Sequence, residues 1–370
     1  MKILSVVGAR PNFIKIAPLV RAAHQFPSIR HILVHTGQHY DESMSTSFFR
    51  DLGIPQPDVN LEVGSASHAA QTAEIMKRFE PILLKHKPDV VVVVGDVNST
   101  LACSVVASKL RIPVAHVEAG LRSFDRTMPE EINRLVTDSV ADILFTTSVE
   151  AAKHLHREGI PSNRIFFVGN VMIDTLMEKL KKASASSILN KLKLRNSHYA
   201  LVTLHRPSNV DDPKILNHIF SALETIQLFL PVIFPVHPRT RKNINRLFKS
   251  RLVRMKNLIL LEPLGYLDFL QLMRSAKMVL TDSGGIQEET TVLGIPCLTI
   301  RENTERPITI TQGTNTLVGL KKEKIIKEAM KILKGKGKKG KRPELWDGKA
   351  SNRIVRILLK LKKQKRLLRS

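Results

Sequence analysis

Carboxylates follow two short apolar runs in the first half of the chain, where they are well placed for acid–base chemistry. Asp96 comes just after the run at 90–94, and Glu118 lies at the end of a later run. Asp96 could cap the helix that follows or act as an acid–base group. Burying a carboxylate without a partner is costly, so Glu118 requires either a structural cationic partner or a chemical task.

A third carboxylate, Glu130, belongs to the segment P-E-E-I-N-R at 129–134. An acidic residue in the first turn of a helix complements the helix dipole, so Glu130 taken alone needs no other explanation. Together with Asp96 and Glu118, however, it gives the first half of the chain three candidate groups for proton transfer.

Candidate anion sites occur in both halves. In the first half, Gly8 is followed by Arg10, Pro11 and Lys15. A glycine turn that leads into a helix offers backbone N–H groups to an anion, and Arg10 and Lys15 would add full charges. The alternative is an ordinary turn with solvated basic side chains.

The stronger anion site lies in the second half. Ser283, Gly284 and Gly285 stand between a predicted strand and a predicted helix, and would present backbone N–H groups as a phosphate cradle. Glu288 or Glu289, one turn further, could accept both hydroxyls of a ribose. The spacing matches neither the G-x-G-x-x-G dinucleotide motif nor the P-loop.

Other strand ends in the second half also carry basic groups. His205 and Arg206 follow a predicted strand and suit an oxyanion or a phosphate. The charged run at 301–307 follows a later strand and adds an arginine. Since the candidate carboxylates lie in the first half, the natural ligand is a nucleotide diphosphate held by the second half, with its other end facing those carboxylates.

Short β-rich apolar runs alternate with amphipathic helical patterns and predict the elements that position these groups. The patterns of the first half predict strands at 3–7, 32–36, 90–94, 114–117, 143–146 and 165–168 and helices near 12–24, 69–86, 98–109, 130–141 and 148–158. Those of the second half predict strands at 199–203, 232–236, 258–261, 278–281 and 297–300 and helices near 213–228, 240–249, 265–276 and 284–293. This alternation predicts an α/β fold of two Rossmann-like domains facing a cleft, with ligands at the carboxyl ends of the strands.

The predicted domains are residues 1–175, which carry the carboxylates, and 176–348, which carry the nucleotide site. A polar helical stretch at about 178–198 is the predicted linker. Residues 334–342 hold three glycines and six basic residues, which predicts a flexible loop. A basic amphipathic helix at 349–370 closes the chain.

The charge of the chain is unevenly distributed. Its 370 residues include 58 Lys and Arg against 33 Asp and Glu, for a formal net charge of +25. Residues 321–370 alone hold 20 basic and 4 acidic residues, which leaves a mildly basic body that suits anionic small molecules. The tail suits a solvated helix face, solubility, or weak attraction to polyanions or acidic membrane surfaces.

A nucleic-acid-binding module is the competing class of function. Aromatic residues make up only 5% of the chain, so stacking platforms are scarce. The sequence has no zinc-finger spacing, RNP aromatic motif or clear helix-turn-helix. We therefore expect no specific nucleic-acid partner.

Cysteine usage and hydropathy indicate the compartment. Cys103 and Cys297 lie in predicted core segments far apart, so we expect no disulfide and a reducing environment. No apolar run approaches the ~20 residues that span a membrane. The N-terminus enters a strand pattern directly, without signal-peptide architecture. We expect a cytoplasmic protein with no membrane span.

Six segments together resemble the non-hydrolysing UDP-N-acetylglucosamine 2-epimerases. They occur in the family's order, cover nearly the whole chain and are G-A-R-P-N-F-I-K-I-A-P at 8–18, H-T-G-Q-H-Y-D at 35–41, H-V-E-A-G-L-R-S at 116–123, P-E-E-I-N-R at 129–134, D-S-G-G-I-Q-E-E at 282–289 and R-E-N-T-E-R-P at 301–307. The resemblance implies a glycosyltransferase-B-type fold in which the C-terminal helix crosses back onto the first domain.

The resemblance also implies a reaction. This is the reversible epimerisation of UDP-N-acetylglucosamine at C2, giving UDP-N-acetylmannosamine for cell-surface polysaccharide precursors. UDP would leave by anti elimination to a 2-acetamidoglucal intermediate and then add back, with no metal or other cofactor. The motifs leave open the same epimerisation of a modified UDP-sugar such as a diacetamido uronic acid, and a hydrolysing epimerase or glycosyltransferase on the same fold. Because homodimers are common in the family, we also expect a homodimer.

Site roles follow from the resemblance residue by residue. It implies catalytic roles for Asp96, Glu118, Glu130 and His205. Phe269 matches a position near the uracil. Contacts with the nucleotide or diphosphate are implied for Arg10, Lys15, Arg134, Ser283, Gly284, Gly285, Glu289 and Arg306.

Some positions depart from the family pattern. Val97 and Ser208 stand where members often have Thr and Glu, which affects details of the site more than the reaction. The segment at 35–41 differs from members that are regulated by a second substrate molecule, so we expect no such control here.

Overall fold

The computed structural model describes residues 1–37 and 53–365. Contacts between Cα atoms divide the chain into two compact units. Unit 1 comprises Met1–Glu178 together with the chain from Glu344 onward, and unit 2 comprises Lys179–Pro343. Each unit is a parallel-sheet α/β fold, and the Rossmann-like, glycosyltransferase-B-type architecture expected from the sequence is confirmed.

Unit 1 is built on one parallel sheet. Its described strands are β1 (Lys2–Val7), β2 (Arg30–His35), β3 (Val59–Asn60), β4 (Val90–Val94), β5 (Val114–Ala119), β6 (Ile143–Thr146) and β7 (Ile165–Phe167). They are ordered β3-β2-β1-β4-β5-β6-β7. The described helices are α1 (Arg10–His24), α2 (His68–His86), α3 (Asn98–Lys109), α4 (Pro129–Val140), α5 (Val149–Arg157) and α6 (Val171–Ala183).

Unit 2 repeats this plan. Its strands are β8 (Ala200–Thr203), β9 (Val232–Pro235), β10 (Leu258–Leu261), β11 (Met278–Thr281), β12 (Cys297–Thr299) and β13 (Asn315–Leu317), in the order β10-β9-β8-β11-β12-β13. Its helices are α7 (Ile188–Lys191), α8 (Pro207–Val210), α9 (Pro213–Ile226), α10 (Pro238–Leu252), α11 (Tyr266–Ser275), α12 (Gly284–Leu293), α13 (Ile308–Thr311) and α14 (Lys322–Leu333).

The strand order reverses at one place in each sheet. β1 lies between β2 and β4, and β8 lies between β9 and β11. Helices that leave neighbouring strands in opposite directions open a crevice at such a point, and ligands of open α/β sheets bind there. Most predicted site residues follow β1, β4 and β5 in unit 1 and β8, β11 and β12 in unit 2, at these points or one strand away from them. The topology therefore explains why these strand ends carry the chemistry.

The cores form because the central strands are apolar on both faces. All five valines of β4 are buried, as expected of a parallel strand covered by helices on each side. Helices present one apolar stripe to the sheet: Ile75, Phe79 and Leu83 of α2 recur at helical spacing and are buried. The strands and helices predicted from these patterns are confirmed within a few residues at their ends.

Six of the labelled elements were not predicted, among them α8 and α13, which have only four residues each. β3 and β13 have two and three residues, too few for a strand pattern, and complete the edges of the sheets. α6 precedes and enters the predicted linker at 178–198, and α14 lies in a Lys-rich stretch whose charge masks its apolar stripe.

The closing helix α15 (Ala350–Lys363) belongs to unit 1 and packs against α1. Buried Asp174 of α6 accepts hydrogen bonds from Ala350 N at 3.1 Å and from Ser351 N at 2.7 Å, which supplies the N-terminal cap that Lys349 does not. Trp346 is buried and donates to Thr147 O at 2.9 Å. The apolar stripe of α15 is buried and its basic residues line the other faces.

Cys103 and Cys297 are free and buried, so the expectation of no disulfide between them is confirmed. They lie in different units. Among the described residues, no helix is long and apolar enough to cross a bilayer.

Candidate functional site

Glu118 stands at the carboxyl end of β5 in a buried ion pair. Its Oε2 lies 2.5 Å from Lys15 Nζ, and both side chains are almost inaccessible to water. The backbone of Glu118 has φ +73°, a left-handed conformation that costs free energy for a residue with a Cβ. Such strain at a buried, charged residue is typical of functional positions.

Gly95, which follows β4, allows the backbone to approach this pair. It has φ +72°, and a Cβ there would lie 3.1 Å from Lys15 Nζ and 3.9 Å from Glu118 Oε2. The conformation therefore favours glycine, and a Cβ would press against the Lys15 ammonium. Lys15, predicted to contact a diphosphate, pairs with Glu118 in this structure, and its contact with a diphosphate stays a prediction.

Asp96 lies beside Arg134 of α4. Arg134 Nη1 donates to Asp96 Oδ2 at 2.5 Å, and its Nε donates to Glu131 Oε2 at 2.9 Å. Glu131 also accepts from Ser123 N at 3.0 Å. Burial acts to raise the pKa of Glu131, but the Ser123 and Arg134 hydrogen bonds hold it below its ordinary value.

The N-terminal cap of α3 is Val97, so Asp96 is not the cap that one interpretation allowed. Its carboxylate is partly exposed and held by a buried arginine. Arg134, predicted as a substrate contact, is fully occupied here with Asp96, Glu131 and Ser123. We name Asp96, Glu118, Glu131, Lys15 and Arg134 the carboxylate cluster.

A buried network that the sequence interpretation missed lies behind this cluster. His116 Nδ1 is 2.6 Å from Asp138 Oδ1, and its Nε2 is 2.9 Å from Gly95 O. Asp138 also accepts from Gly120 N at 3.0 Å. Since His116 and Gly120 flank Glu118, the network fixes the strained strand end. A histidine inside the apolar run of β5 was the available signal.

Two other predicted residues of unit 1, Glu130 and Arg10, lie at the starts of helices. Glu130 lies in the first turn of α4 and is exposed. Arg10 is the first residue of α1, and its side chain lies outside the description. Residues 38–41 of the H-T-G-Q-H-Y-D segment lie outside the described residues, so the expectation about a second substrate molecule stays a prediction.

In unit 2, Asp282 organises the turn that carries His205. Asp282 is buried, and its Oδ1 lies 2.9 Å from Nδ1 of the half-exposed His205 ring. It also accepts from the backbone N–H groups of His205 and Arg206. Burial acts to raise the pKa of Asp282, but these hydrogen bonds hold it below its ordinary value. A histidine fixed through Nδ1 presents Nε2 for chemistry.

The predicted phosphate cradle lies at the start of α12. Ser283 is the N-cap, and Gly284 and Gly285 begin the helix. First-turn amides have no intrahelical acceptor and are free to bind an anion. Ser283 N, however, donates to Thr281 Oγ1 at 3.0 Å, so it contributes less than predicted. A Cβ at Gly284 would collide with the Arg306 guanidinium, which places that cation against the helix end.

Arginines surround this helix end and are held by two buried carboxylates. Glu305 pairs with Arg301 at 2.7 Å, with Arg306, and more loosely with Arg206 at 3.7 Å. Glu288 accepts from Arg306 Nε at 2.7 Å. Burial acts to raise the pKa of Glu305, but the three arginines hold it well below its ordinary value. We name these five residues the arginine cluster.

Glu289 is also buried but has a neutral partner. Tyr266 donates its hydroxyl to Glu289 Oε1 at 2.7 Å. Burial raises the pKa of Glu289 to about 7, and the hydrogen bond from Tyr266 opposes this only in part. Phe269 lies one turn along α11 from Tyr266 and is half-buried. The sequence alone did not show that Glu289 has a neutral partner whereas Glu288 pairs with an arginine.

The structure thus gathers the predicted residues into two groups. Asp96, Glu118, Lys15 and Arg134 meet at one strand edge of unit 1, and His205 and Arg306 lie at the corresponding edge of unit 2. The missed residues, such as Glu305 and His116, are buried and hold the predicted residues or the strand ends that carry them. Among the described residues, no group of three or more His, Cys, Asp or Glu side chains is arranged to hold a metal ion.

Comparisons with known proteins agree with one another. The family model described as UDP-N-acetylglucosamine 2-epimerase matches residues 21–359. A UDP-N-acetylglucosamine 2-epimerase of Methanocaldococcus jannaschii is 46% identical over 366 residues, covering 97% of this chain and 99% of the relative. A UDP-2,3-diacetamido-2,3-dideoxy-D-glucuronate 2-epimerase of Pseudomonas aeruginosa is 42% identical, covering 98% of this chain and all of the relative.

Solved structures show the same similarity. The crystal structure of the Methanocaldococcus jannaschii UDP-GlcNAc 2-epimerase in complex with UDP-GlcNAc and UDP superposes with a TM-score of 0.89 at 45% identity, covering 97% of this chain and 100% of that one. The Neisseria meningitidis UDP-GlcNAc 2-epimerase bound to UDP-GlcNAc gives a TM-score of 0.88 at 33% identity, covering 97% of this chain and 100% of that one.

Proposed function

Because this chain belongs to the UDP-N-acetylglucosamine 2-epimerase family, and is therefore an isomerase, we propose that it interconverts UDP-N-acetylglucosamine and UDP-N-acetylmannosamine by elimination and re-addition of UDP. One observation carries the proposal. Each unit carries charged groups at or next to the switch point of its sheet, and the two sets differ in charge. We assign acid–base chemistry to the carboxylates of unit 1 and anion binding to the arginines of unit 2.

The first demand of the reaction is stabilisation of the departing diphosphate. The C2 hydrogen of the sugar is not adjacent to a carbonyl, so it becomes acidic only as the C1–O bond breaks. Charge then develops on the leaving UDP, and donors fixed in advance stabilise it most effectively. The first turn of α12 and Arg306 beside it supply such donors, and His205 adds one if its Nε2 carries a proton.

The second demand is proton transfer at both faces of C2. In the forward direction a base takes the C2 proton while the C1–O electron pair leaves with UDP, which gives the 2-acetamidoglucal. In the return step UDP oxygen attacks C1 and an acid delivers a proton to the opposite face of C2. Two different groups suit this, and Asp96, Glu118 and Glu130 are the candidates.

Buried cations prepare two of these carboxylates for the task. Lys15 fixes Glu118, and Arg134 fixes Asp96, so each holds one orientation without substrate. Fixed carboxylates need no reorganisation when the substrate arrives. We assign Lys15 and Arg134 to this positioning role, whereas Ser283, Gly284, Gly285, Glu289, Phe269 and Arg306 remain the proposed contacts for UDP.

The deciding experiment follows the product sugar by NMR after incubation with UDP-N-acetylglucosamine in deuterium oxide. We expect UDP-N-acetylmannosamine with deuterium at C2, since solvent exchanges with the acid–base groups. Product without deuterium would contradict proton transfer through exchangeable groups. Free sugar plus UDP as the only products would instead indicate a hydrolysing enzyme.

The sugar substituents are a separate question, because a relative at 42% identity is named for a diacetamido uronic acid. Both UDP-sugars should be offered at equal concentration, and kcat/KM compared. We propose UDP-N-acetylglucosamine as the better substrate. A higher kcat/KM for the uronic acid would reassign the substrate while leaving the reaction unchanged.

We also propose that the protein is a cytoplasmic homodimer. The support is the family to which it belongs and two buried cysteines that form no disulfide. The mass from light scattering tests the dimer, and cell fractionation tests the location.

A further inference from the structure

A strongly basic surface of unit 2 takes no part in the proposed reaction. Residues 238–256, which include α10 and the turn after it, contain eight Lys and Arg and no Asp or Glu. Like charges this close together repel one another, so a run of this composition attracts anions. The question is which of these side chains are available to a partner.

Some of the eight are used within the fold. Arg241 donates to Leu261 O at 2.7 Å and lies 3.2 Å from Glu262. Arg251 pairs with Glu224 at 2.6 Å and lies over the Phe220 ring.

Five other basic residues of this run are exposed to solvent. Lys242 and Arg246 are four residues apart and so share one face of α10. Lys249 follows three residues later, just beyond the break in the helix at Phe248, and is also exposed. The turn after α10 adds Arg254 and Lys256.

Large apolar side chains project next to this basic face. Leu228, Phe229 and Val253 are 71%, 63% and 79% exposed. Such exposure is unusual for three large apolar residues in one small region.

The two turns that carry these apolar side chains are joined. Asn257 N donates to Gln227 Oε1 at 3.1 Å, and Asn257 Nδ2 donates to Gln227 O at 3.0 Å. The turns lead into neighbouring strands, since Val232 of β9 pairs with Leu258 of β10. The apolar tips therefore lie together at the amino edge of the sheet. We name the five exposed basic residues and the three tips the basic–apolar surface.

We propose that the basic–apolar surface docks onto the anionic face of a lipid bilayer. Lysines and arginines attract acidic headgroups, and apolar tips enter the boundary between headgroups and acyl chains. Charge complementarity favours an anionic partner. Leucine and valine favour lipid over nucleic acid, because neither can stack on a base or donate a hydrogen bond to one.

The position of the surface is compatible with activity. The three apolar tips, Arg254 and Lys256 lie at the amino edge of the unit 2 sheet, whereas Ser283 and His205 follow the carboxyl ends of its strands. The other three basic residues of the surface lie along α10, which runs from the carboxyl edge back to the amino edge. Four-residue strands separate the two edges by about 13 Å. Docking through the apolar tips therefore leaves Ser283 and His205 at the opposite edge from the bilayer, and the proposal is independent of the reaction.

The test is flotation of the full chain with vesicles of phosphatidylcholine, with and without about 30% phosphatidylglycerol, in about 0.1 M salt. We expect binding to the anionic vesicles and little to the neutral ones. The triple variant Lys242→Gln, Arg246→Gln, Lys249→Gln should lower the partition coefficient about a hundredfold. Phe229→Ser should lower it about tenfold.

Unit 1 offers matched controls. Arg356, Lys360 and Lys363 of α15 are exposed and have the same spacing and composition as the triple in α10. Their triple change to Gln removes equal charge, and Leu84→Ser removes an equally exposed apolar side chain. Each control should lower the partition coefficient less than about threefold.

Several results would overturn the proposal. One is no flotation with anionic vesicles, and another is equal loss in the α15 control, which would assign binding to net charge alone. Unchanged flotation of Phe229→Ser would also contradict it, as would tighter binding to a single-stranded oligonucleotide than to vesicles. Solution epimerase activity of every variant should equal that of the parent, which shows that each has folded.

Discussion

The carboxylate cluster of unit 1 and the arginine cluster of unit 2 have opposite net charge, but both are held by buried ion pairs. In unit 1, the buried cations Lys15 and Arg134 hold Glu118, Asp96 and Glu131. In unit 2, the buried carboxylates Glu288 and Glu305 hold Arg206, Arg301 and Arg306. The first set has one more carboxylate than cation, and the second has one more cation than carboxylate.

This difference in charge indicates that the two clusters have different tasks, although the two units share one fold plan. An excess of carboxylate cannot bind a diphosphate but can exchange protons, and an excess of arginine does the reverse. In both clusters, the group proposed to meet the substrate is held by buried partners of opposite charge. Changes in the carboxylate cluster should therefore affect turnover, and changes in the arginine cluster should affect affinity for UDP.

The largest expected effect is that of Glu118→Gln. The variant retains the shape of the side chain but loses the charge that pairs with Lys15 and the capacity to take a proton. We expect kcat to fall by about 10²- to 10⁴-fold, with the dissociation constant for UDP changed by less than about threefold. Asp96→Asn and Glu130→Gln should each lower kcat by roughly 10²-fold or more. Steady-state kinetics and calorimetry measure the two quantities.

Glu74→Gln is the control for general effects in unit 1, because Glu74 pairs with Arg78 on an exposed face of α2. It should keep parental kcat. If Glu118→Gln weakened UDP binding as much as it slowed turnover, the division between the units would be wrong.

A smaller effect on turnover is expected from Asp282→Asn in unit 2. The variant keeps a hydrogen-bonding partner for Nδ1 of His205 but removes the negative charge that stabilises a charged, doubly protonated ring. We expect kcat to fall about 10²-fold, with a changed pH profile, because a neutral histidine stabilises the departing diphosphate less than a charged one.

Asp212→Asn provides the comparison for that variant. Asp212 also accepts backbone N–H groups, as the N-cap of α9, but lies away from His205. It should retain the parental pH profile. An unchanged profile in Asp282→Asn as well would remove His205 from the proposed machinery.

Glu305→Gln tests the arginine cluster through its affinity for UDP. Removing one buried charge loosens Arg206, Arg301 and Arg306 together. We expect the dissociation constant for UDP to rise about tenfold, with kcat lowered less, because charge-assisted hydrogen bonds position the donors. Glu224→Gln, which breaks the Arg251 pair of the same unit, should leave UDP affinity unchanged. A fall in kcat without any change in affinity would contradict the assignment.

The sequence was sufficient to predict most of the fold and the strand ends of the site. The buried valine run of β4 and the helical spacing of α2 are local patterns, and local patterns predict elements. The motifs likewise located Asp96, Glu118 and Ser283. The predicted task of each domain followed from the positions of the carboxylates in the first half of the chain and of the anion site in the second half.

The partners of these residues could not be predicted, because pairing depends on packing between distant segments. Lys15 meets Glu118 across 103 positions, and Asp282 meets His205 across 77. No spacing rule encodes such contacts. The sequence therefore identified charged residues near the site but could not separate those that contact substrate from those that hold them.

Glu289 and Glu305 provide the finest test, since both are buried in unit 2 with different partners. Three arginines keep Glu305 ionised, whereas burial raises the pKa of Glu289 to about 7. A carboxyl with a raised folded pKa takes up a proton on folding, so its stabilising contribution is full below the unfolded value, near 4.5, and is lost as pH rises towards 7. Glu289→Gln lacks this loss. The melting temperature of the variant relative to the parent should therefore rise by roughly 5 °C between pH 5 and pH 8. A difference that stays constant with pH would show that Glu289 is ionised like Glu305, and that Tyr266 is a sufficient partner for its charge.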